Sequence, residues 1–390
     1  EGWETEMPKQ EMIHNENTET RQSNRKHKSN RERACECWLA AIRKISPEKK
    51  ILLTKEMTAE AFYDLPILEK RRICEYYQID PQALEQPDAM IDSESRQKEL
   101  QEKGLRIATI WDDDYPRKLK QIPNPPYALY YQGTLPGNSF CAAIVGARQC
   151  SEYGRMTAAA ISKALAECGV SVISGMAFGI DSAGHEGALK GGGRTYAVMG
   201  CGADICYPAR GRQLRQQILE RGGVLSEYPP ETPPIPRYFP ERNRIISGLS
   251  DIVIVVEAKM RSGSLITADF AMEQGRDVYA VPGRICDPWS QGTNYLIYQG
   301  CGILYDIPEF LKEMNFVSDR KDTVLSVSDI VLDKEDQLVY EKLDYEPKML
   351  EVIMEQTGLS VRDTLDCIGR LKKRGLVKEC YKNYFCRIFR

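Results

Sequence analysis

Between residues 142 and 281 the chain alternates short apolar runs with longer amphipathic segments, and few architectures accept that rhythm. The runs fall at 142–145, 170–173, 195–199, 224–226, 252–256 and 278–281. Amphipathic stretches between them include 156–168, 183–189, 213–220 and 264–274. Short strands separated by helical segments predict an α/β fold with a doubly wound, mostly parallel sheet, because parallel neighbours need a crossover long enough to hold a helix. Ligands of such sheets gather beyond the carboxyl ends of the strands, where loops feed helix N-termini. Glycine usage marks the limits of this architecture. None occurs between Gly2 and Gly104, while 24 of the 29 lie from Gly133 to Gly302.

The remaining segments differ in composition. Residues 1–33 are polar, carry a basic run at 21–33, and are expected to form a disordered leader. Residues 34–95 read as a small helical module, with helix starts at Ser46-Pro47-Glu48 and Thr58-Ala59-Glu60. The α/β domain is placed at 105–311. A charged, weakly patterned linker follows at 312–335, and a compact tail at 336–390.

The totals bound the function. A formal net charge of −3 rules out a polycation, so any nucleic-acid surface must be local. Thirteen cysteines lie mostly in apolar stretches, and neither Cys35/Cys37 nor Cys201/Cys206 has a second pair at zinc-ligand spacing. No metal and no cofactor are expected, and buried reduced thiols are the plain reading. No run approaches the length of a membrane span, and residues 1–33 lack the apolar core of a signal peptide. A cytoplasmic protein without membrane contact is expected.

Candidate contacts cluster after the strands. The first strand runs into Val145-Gly146-Ala147-Arg148, where a dinucleotide-binding turn would carry G-x-G-x-x-G. Arg148 offers a bidentate phosphate contact instead, an ordinary surface arginine being the alternative. The second strand ends in Ser174, Gly175, Ala177 and Gly179, small enough to bring backbone close to a ligand, although a tight packing turn would use the same residues. Asp181 suits a helix N-cap, and His185 a hydrogen-bonded structural role, with a general base as the alternative. Further on, Arg237, Phe239, Arg242, Asn243 and Arg244 crowd basic groups around an aromatic ring. Such arginine density usually means a solvated face; beside an aromatic it also suits a phosphodiester chain. Lys259 precedes the small-residue turn Ser262-Gly263-Ser264, which opens a helix. The pairs Leu296-Ile297 and Ile303-Leu304 fit either a dimer edge or a last core strand. No P-loop and no G-x-S-x-G elbow is present, so no catalytic residues are expected.

These pieces, taken in order, resemble the DprA/Smf family of DNA-processing proteins. The matching motifs are Tyr115-Pro116, VGAR at 145–148, SGMAFGID at 174–181 and GCGADICYP at 200–208. They continue with FPERNRIISGLS at 239–250, EAKMRSGSLITADFAMEQGRDVYAVPG at 257–283, Gly292 and LIYQGCG at 296–302. The resemblance implies an extended Rossmann-like fold that binds and protects single-stranded DNA, loads the RecA recombinase, and works as a homodimer without catalysis. It also implies a SAM-like module at 34–95 and a winged helix at 336–390, with 356–374 as the turn and second helix and 382–390 as the wing. Carried over, the DNA pocket comprises Arg148, 174–179 and 237–244, with Phe239 as stacking platform and Lys259, Ser262, Gly263 and Ser264 beside it. The rival reading is a Rossmann-like nucleotide-binding enzyme such as a nucleotide phosphoribohydrolase. That class uses P-G-G-x-G-T-x-x-E, where this chain has Arg261-Ser262-Gly263-Ser264-Leu265-Ile266-Thr267.

Overall fold

The computed structural model describes residues 28–316 and 332–388. The leader up to residue 27 and most of the expected linker, 317–331, lie outside the described residues.

Nine strands form one sheet: β1 (Arg106–Thr109), β2 (Ala128–Gly133), β3 (Cys141–Val145), β4 (Ser171–Ser174), β5 (Thr195–Val198), β6 (Gly223–Ser226), β7 (Ile252–Val255), β8 (Asp277–Ala280) and β9 (Gly302–Ile303). Their order is β1-β2-β6-β5-β4-β3-β7-β8-β9. All strands from β3 to β9 run parallel, whereas β1 and β2 join antiparallel at the β6 edge. Strand order reverses at β3, which makes the sheet doubly wound and opens a crevice above its carboxyl end. The central strands are buried on both faces, as parallel strands covered by helices must be. All six strands expected from the apolar runs are present. The antiparallel pair β1–β2 was not foreseen, while the short edge strand β9 falls where Ile303-Leu304 was expected as either a last strand or a dimer edge.

The helical module does not have a core of its own. Trp38, Leu39, Phe62 and Leu53 belong to one apolar cluster with Leu129 and Val253 on the sheet and with Tyr115 and Leu296 beside it. Its first helix, Asn30–Ala41, begins inside the segment assigned to the leader. Ser29 caps it, and Lys28 and Arg33 both reach the buried Asp112, at 2.6 and 2.7 Å. Burial raises the Asp112 pKa, but hydrogen bonds from Arg33 and Lys28 hold it down at about 2. The basic run thus ends in residues tied to the turn after β1. Composition alone showed solvated charge there because the acidic partner lies some eighty positions away.

Residues 332–388 form helices Lys334–Lys342, Leu350–Thr357 and Val361–Lys373 with a three-stranded sheet, β10 (Lys348–Met349), β12 (Tyr384–Arg387) and β11 (Val377–Tyr381), which is a winged-helix arrangement. Gly358 turns the chain at φ 70° between the second and third helices. Asp363 serves that third helix: its N–H donates to Ser360 Oγ at 3.2 Å, and its carboxylate accepts the Ser360 hydroxyl at 2.6 Å. No helix among the described residues is long and apolar enough to cross a membrane.

Candidate nucleic-acid interface

Loops from β3, β4, β5 and β7 converge above the carboxyl edge. Arg148 leaves the β3 turn exposed to solvent. The helix that follows, Glu152–Glu167, has no free positive end. Glu257 accepts the Ser151 N–H at 2.9 Å and also takes the Ser151 hydroxyl. That carboxylate is 3% exposed, and burial raises its pKa. An anion arriving at this loop therefore meets Arg148, because an internal acid already occupies the helix dipole.

The β4 loop is built for close approach. Gly179 has φ 78°, and a Cβ there would stand 2.3 Å from the Ala147 carbonyl oxygen. Only glycine lets the β3 and β4 loops touch at this point. Ser174 is fully buried and donates to the Ile144 carbonyl at 2.6 Å, tying β4 to β3. Ala177 is half-buried beside it. The helix Ile180–Lys190 starts at Gly179 without a side-chain cap. Asp181 lies within its first turn rather than at the cap, and accepts the N–H groups of Gly175 and Ala177 at 3.2 and 3.4 Å. Burial raises its pKa to about 6, against the lowering influence of Arg242. Phe178, between these residues, projects with 49% of its surface exposed.

Residues 237–244 enter a helix, Tyr238–Gly248, and that separates arginines which look equivalent in sequence. Each residue turns about 100°, so Arg242 and Arg244 face opposite sides. Arg242 is 3% exposed and donates to the carbonyls of Gly175, at 3.1 Å, and Val198. Burial pulls its pKa down to about 10. Arg244 pairs with Glu227 at 2.6 Å, away from the loops. Asn243 donates to the Gly263 carbonyl at 3.1 Å and links the middle of this helix to the start of the next, Gly263–Glu273. Arg237, at the N-cap, is exposed and sits 5.1 Å from the Tyr238 ring. Of the three arginines, Arg237 alone presents its charge to solvent, and it shares a surface hollow with Tyr228, Tyr238 and Arg244. Arg242 is a strut beneath the β4 loop: a Cβ on Gly175 would stand 2.6 Å from its guanidinium. Gly175→Ala is therefore expected to push that group aside and lower the free energy of unfolding by about 1–2 kcal/mol, read from a urea melt.

Phe239 is the centre of the arrangement. The Arg148 guanidinium lies 5.0 Å from its ring, Tyr207 packs at 5.4 Å with a 43° tilt, and Gly200 leaves room beneath it. Further along the edge, Ser262 caps Gly263–Glu273 by accepting the Ser264 N–H at 3.3 Å, while exposed Lys259 sits 4.1 Å from the Trp289 ring. Sequence reasoning missed Trp289, and included Phe178 and Tyr207 only as parts of the 174–179 turn and of a loop at the cleft wall, without a role for their rings. Their signal was available: each is an aromatic residue in a loop on the carboxyl side of the sheet, where no core explains it. Leu296 and Leu304 are buried in the core and Ile297 is half-buried, whereas Ile303 on the edge strand β9 is 45% exposed.

A model of the family described as DNA recombination-mediator protein A matches residues 106–315, the span that contains every one of these loops. The chain belongs to that family. It is 44% identical over 227 residues to DNA processing protein DprA of Streptococcus pneumoniae, covering 58% of this chain and 79% of that relative. It is 45% identical over 204 residues to Protein Smf of Escherichia coli, covering 52% of this chain and 54% of Smf. The chain thus spans only about half of Smf's length. The X-ray structure of DNA processing protein A from Streptococcus pneumoniae superposes with a TM-score of 0.62 at 34% identity, covering 74% of this chain and 99% of that one. Membership in a family of DNA-processing proteins fits an edge lined with exposed cations and aromatic rings.

Proposed function

We propose that this member of the family binds single-stranded DNA across the carboxyl edge of its sheet and presents it to the RecA recombinase. The observation that carries the reading is Arg148 seated over Phe239 where the β3 and β4 loops meet. A phosphate takes the guanidinium and a base takes the aromatic face, which binds any sequence. Arg237, Lys259 and the 262–264 turn extend the track, while Ser174, Gly175, Gly179, Arg242 and Asn243 hold its shape. The protein acts by holding the strand and carries out no bond-breaking step. Residues 34–95 and 336–390 serve as SAM-like and winged-helix accessory modules. Homodimerisation through the β9 edge, with Ile303 as its exposed apolar contact, would set two tracks side by side, and the protein would work in the cytoplasm.

The test is fluorescence anisotropy with labelled oligothymidylate across a salt series, with duplex as competitor. Tight, salt-sensitive binding that duplex does not displace is expected. Arg148→Ala should weaken binding and make the log–log salt slope shallower by about 0.7, the share of one phosphate on a single strand. Its melting temperature should stay unchanged, because Arg148 is exposed. Arg242→Ala should weaken binding together with the melting temperature, since it removes a buried strut. Wild-type salt slopes in both variants would remove this pocket from the interface.

A further inference from the structure

The wing of the winged helix brings two thiols together. Strands β11 and β12 pair antiparallel, with Lys378 opposite Cys386 and Glu379 opposite Phe385. The next pair is Tyr381 with Tyr384, so Cys380 is an extra residue in the ladder, a bulge. A regular ladder would keep Cys380 diagonal to Cys386, about 7–8 Å apart, whereas a bulge re-aims the side chain it adds. Here the two sulfur atoms stand 3.0 Å apart. Strand β11 is the outer one of its sheet and Cys380 is half-buried, while Cys386 is fully buried. Cys386 Sγ also lies 3.9 Å from Met156 Sδ, and Lys378 on β11 pairs with Glu152. Met156 and Glu152 belong to the helix that follows the Arg148 turn, so the thiols sit where the winged helix meets the α/β domain.

We propose that Cys380 and Cys386 form a redox-active dithiol at this seam, which a peroxide converts to a disulfide. The Cys380 thiolate attacks one oxygen of hydrogen peroxide, the O–O bond breaks, and a sulfenic acid and hydroxide result. The hydroxide takes up the proton that Cys380 gave away. Cys386 then attacks the Cys380 sulfur: the S–S bond forms, the S–O bond breaks, and the oxygen leaves as water with the Cys386 proton. Two thiols and one peroxide thus give one disulfide and two waters, with two electrons passing from sulfur to oxygen. The surroundings set the order of events. Burial raises both pKa values, and the hydrogen bond between the thiols lowers that of Cys380 while lifting that of Cys386 to about 12. Lys378 and Glu152 act on both with opposite signs. Cys380 therefore ionises first, and it is the sulfur nearer solvent.

Neither thiol belongs to the proposed strand track, so the test stands apart from that reading. The reduced full chain would be treated with hydrogen peroxide, its remaining thiols alkylated, and a tryptic digest examined by mass spectrometry. Trypsin cuts after Lys378, Lys382 and Arg387, so the two cysteines fall in separate peptides, 379–382 and 383–387. Those peptides are expected to be joined, in a bond that dithiothreitol reverses, at peroxide levels that leave buried Cys35 and Cys141 as free thiols. Cys386→Ser should instead hold Cys380 as a sulfenic acid that dimedone labels, whereas Cys380→Ser should leave Cys386 unmodified. Circular dichroism melts establish that each variant is folded. Exposed Cys286 reports that the oxidant has acted. Unjoined peptides once Cys286 is oxidised would overturn the pair, as would joining that appears only after Cys35 and Cys141 are consumed or only in urea. Dimedone on Cys386 of folded Cys380→Ser would overturn the assigned roles.

Discussion

Phe239→Ala is expected to lower affinity for a short oligothymidylate by roughly five- to 150-fold, the range set by about 1–3 kcal/mol for one stacked base. The ring does two things at once. It offers a π-face to a base, and it seats the Arg148 guanidinium at 5.0 Å. Removing it costs both the stack and part of the phosphate contact, which is why the effect should exceed that of Arg148→Ala. Phe239→Leu separates binding from packing. Leucine still fills the space over Gly200 and beside Tyr207, so thermal stability should recover while affinity stays low. Anisotropy at one fixed salt concentration checks both variants, and affinity unaltered in Phe239→Ala would place the strand elsewhere.

The second large effect concerns acid. His185 is fully buried, its Nδ1 lies 2.6 Å from Thr195 Oγ1, and the Thr195 hydroxyl donates to the Val172 carbonyl. Nδ1 is therefore the protonated nitrogen, and Nε2 has no partner. Burial, with a smaller contribution from Arg242, lowers the pKa to about 3 from an ordinary 6.5. The sign follows directly. Below pH 6.5 the unfolded chain takes up a proton that the folded form refuses until about pH 3, so stability is intact above 6.5 and falls through that window. The loss amounts to about 4–5 kcal/mol from this residue alone. His185→Gln should flatten the slope of unfolding free energy against pH between 6.5 and 3, measured by urea melts, whatever its cost at neutral pH. A slope equal to that of wild type would show that acid acts elsewhere. This histidine is structural, as its place one turn into an amphipathic stretch suggested.

Much of the architecture was legible because it is written in local pattern. Six apolar runs with helices between them admit a doubly wound sheet, and the glycines at 146, 175 and 179 mark loops that must approach closely. The antiparallel pair β1–β2 was not legible: β2 is recruited by β6, a strand some ninety residues later, and no local periodicity reports such a partner. The start of the helical module was misplaced for a similar reason, since Lys28 and Arg33 are defined by distant Asp112.

For the candidate site the division is sharper. Residue types and order determined that cations and an aromatic ring would gather after strands on the carboxyl side of a parallel sheet. Arg148 and Phe239 could be named from that alone. Which arginine meets solvent was decided only in three dimensions. The helical turn sends Arg242 under the β4 loop and Arg244 to Glu227, while Arg237 stays outside. Sequence records that a charge is present; its exposure depends on which carbonyls and carboxylates the fold brings to it, and those come from segments far apart in the chain.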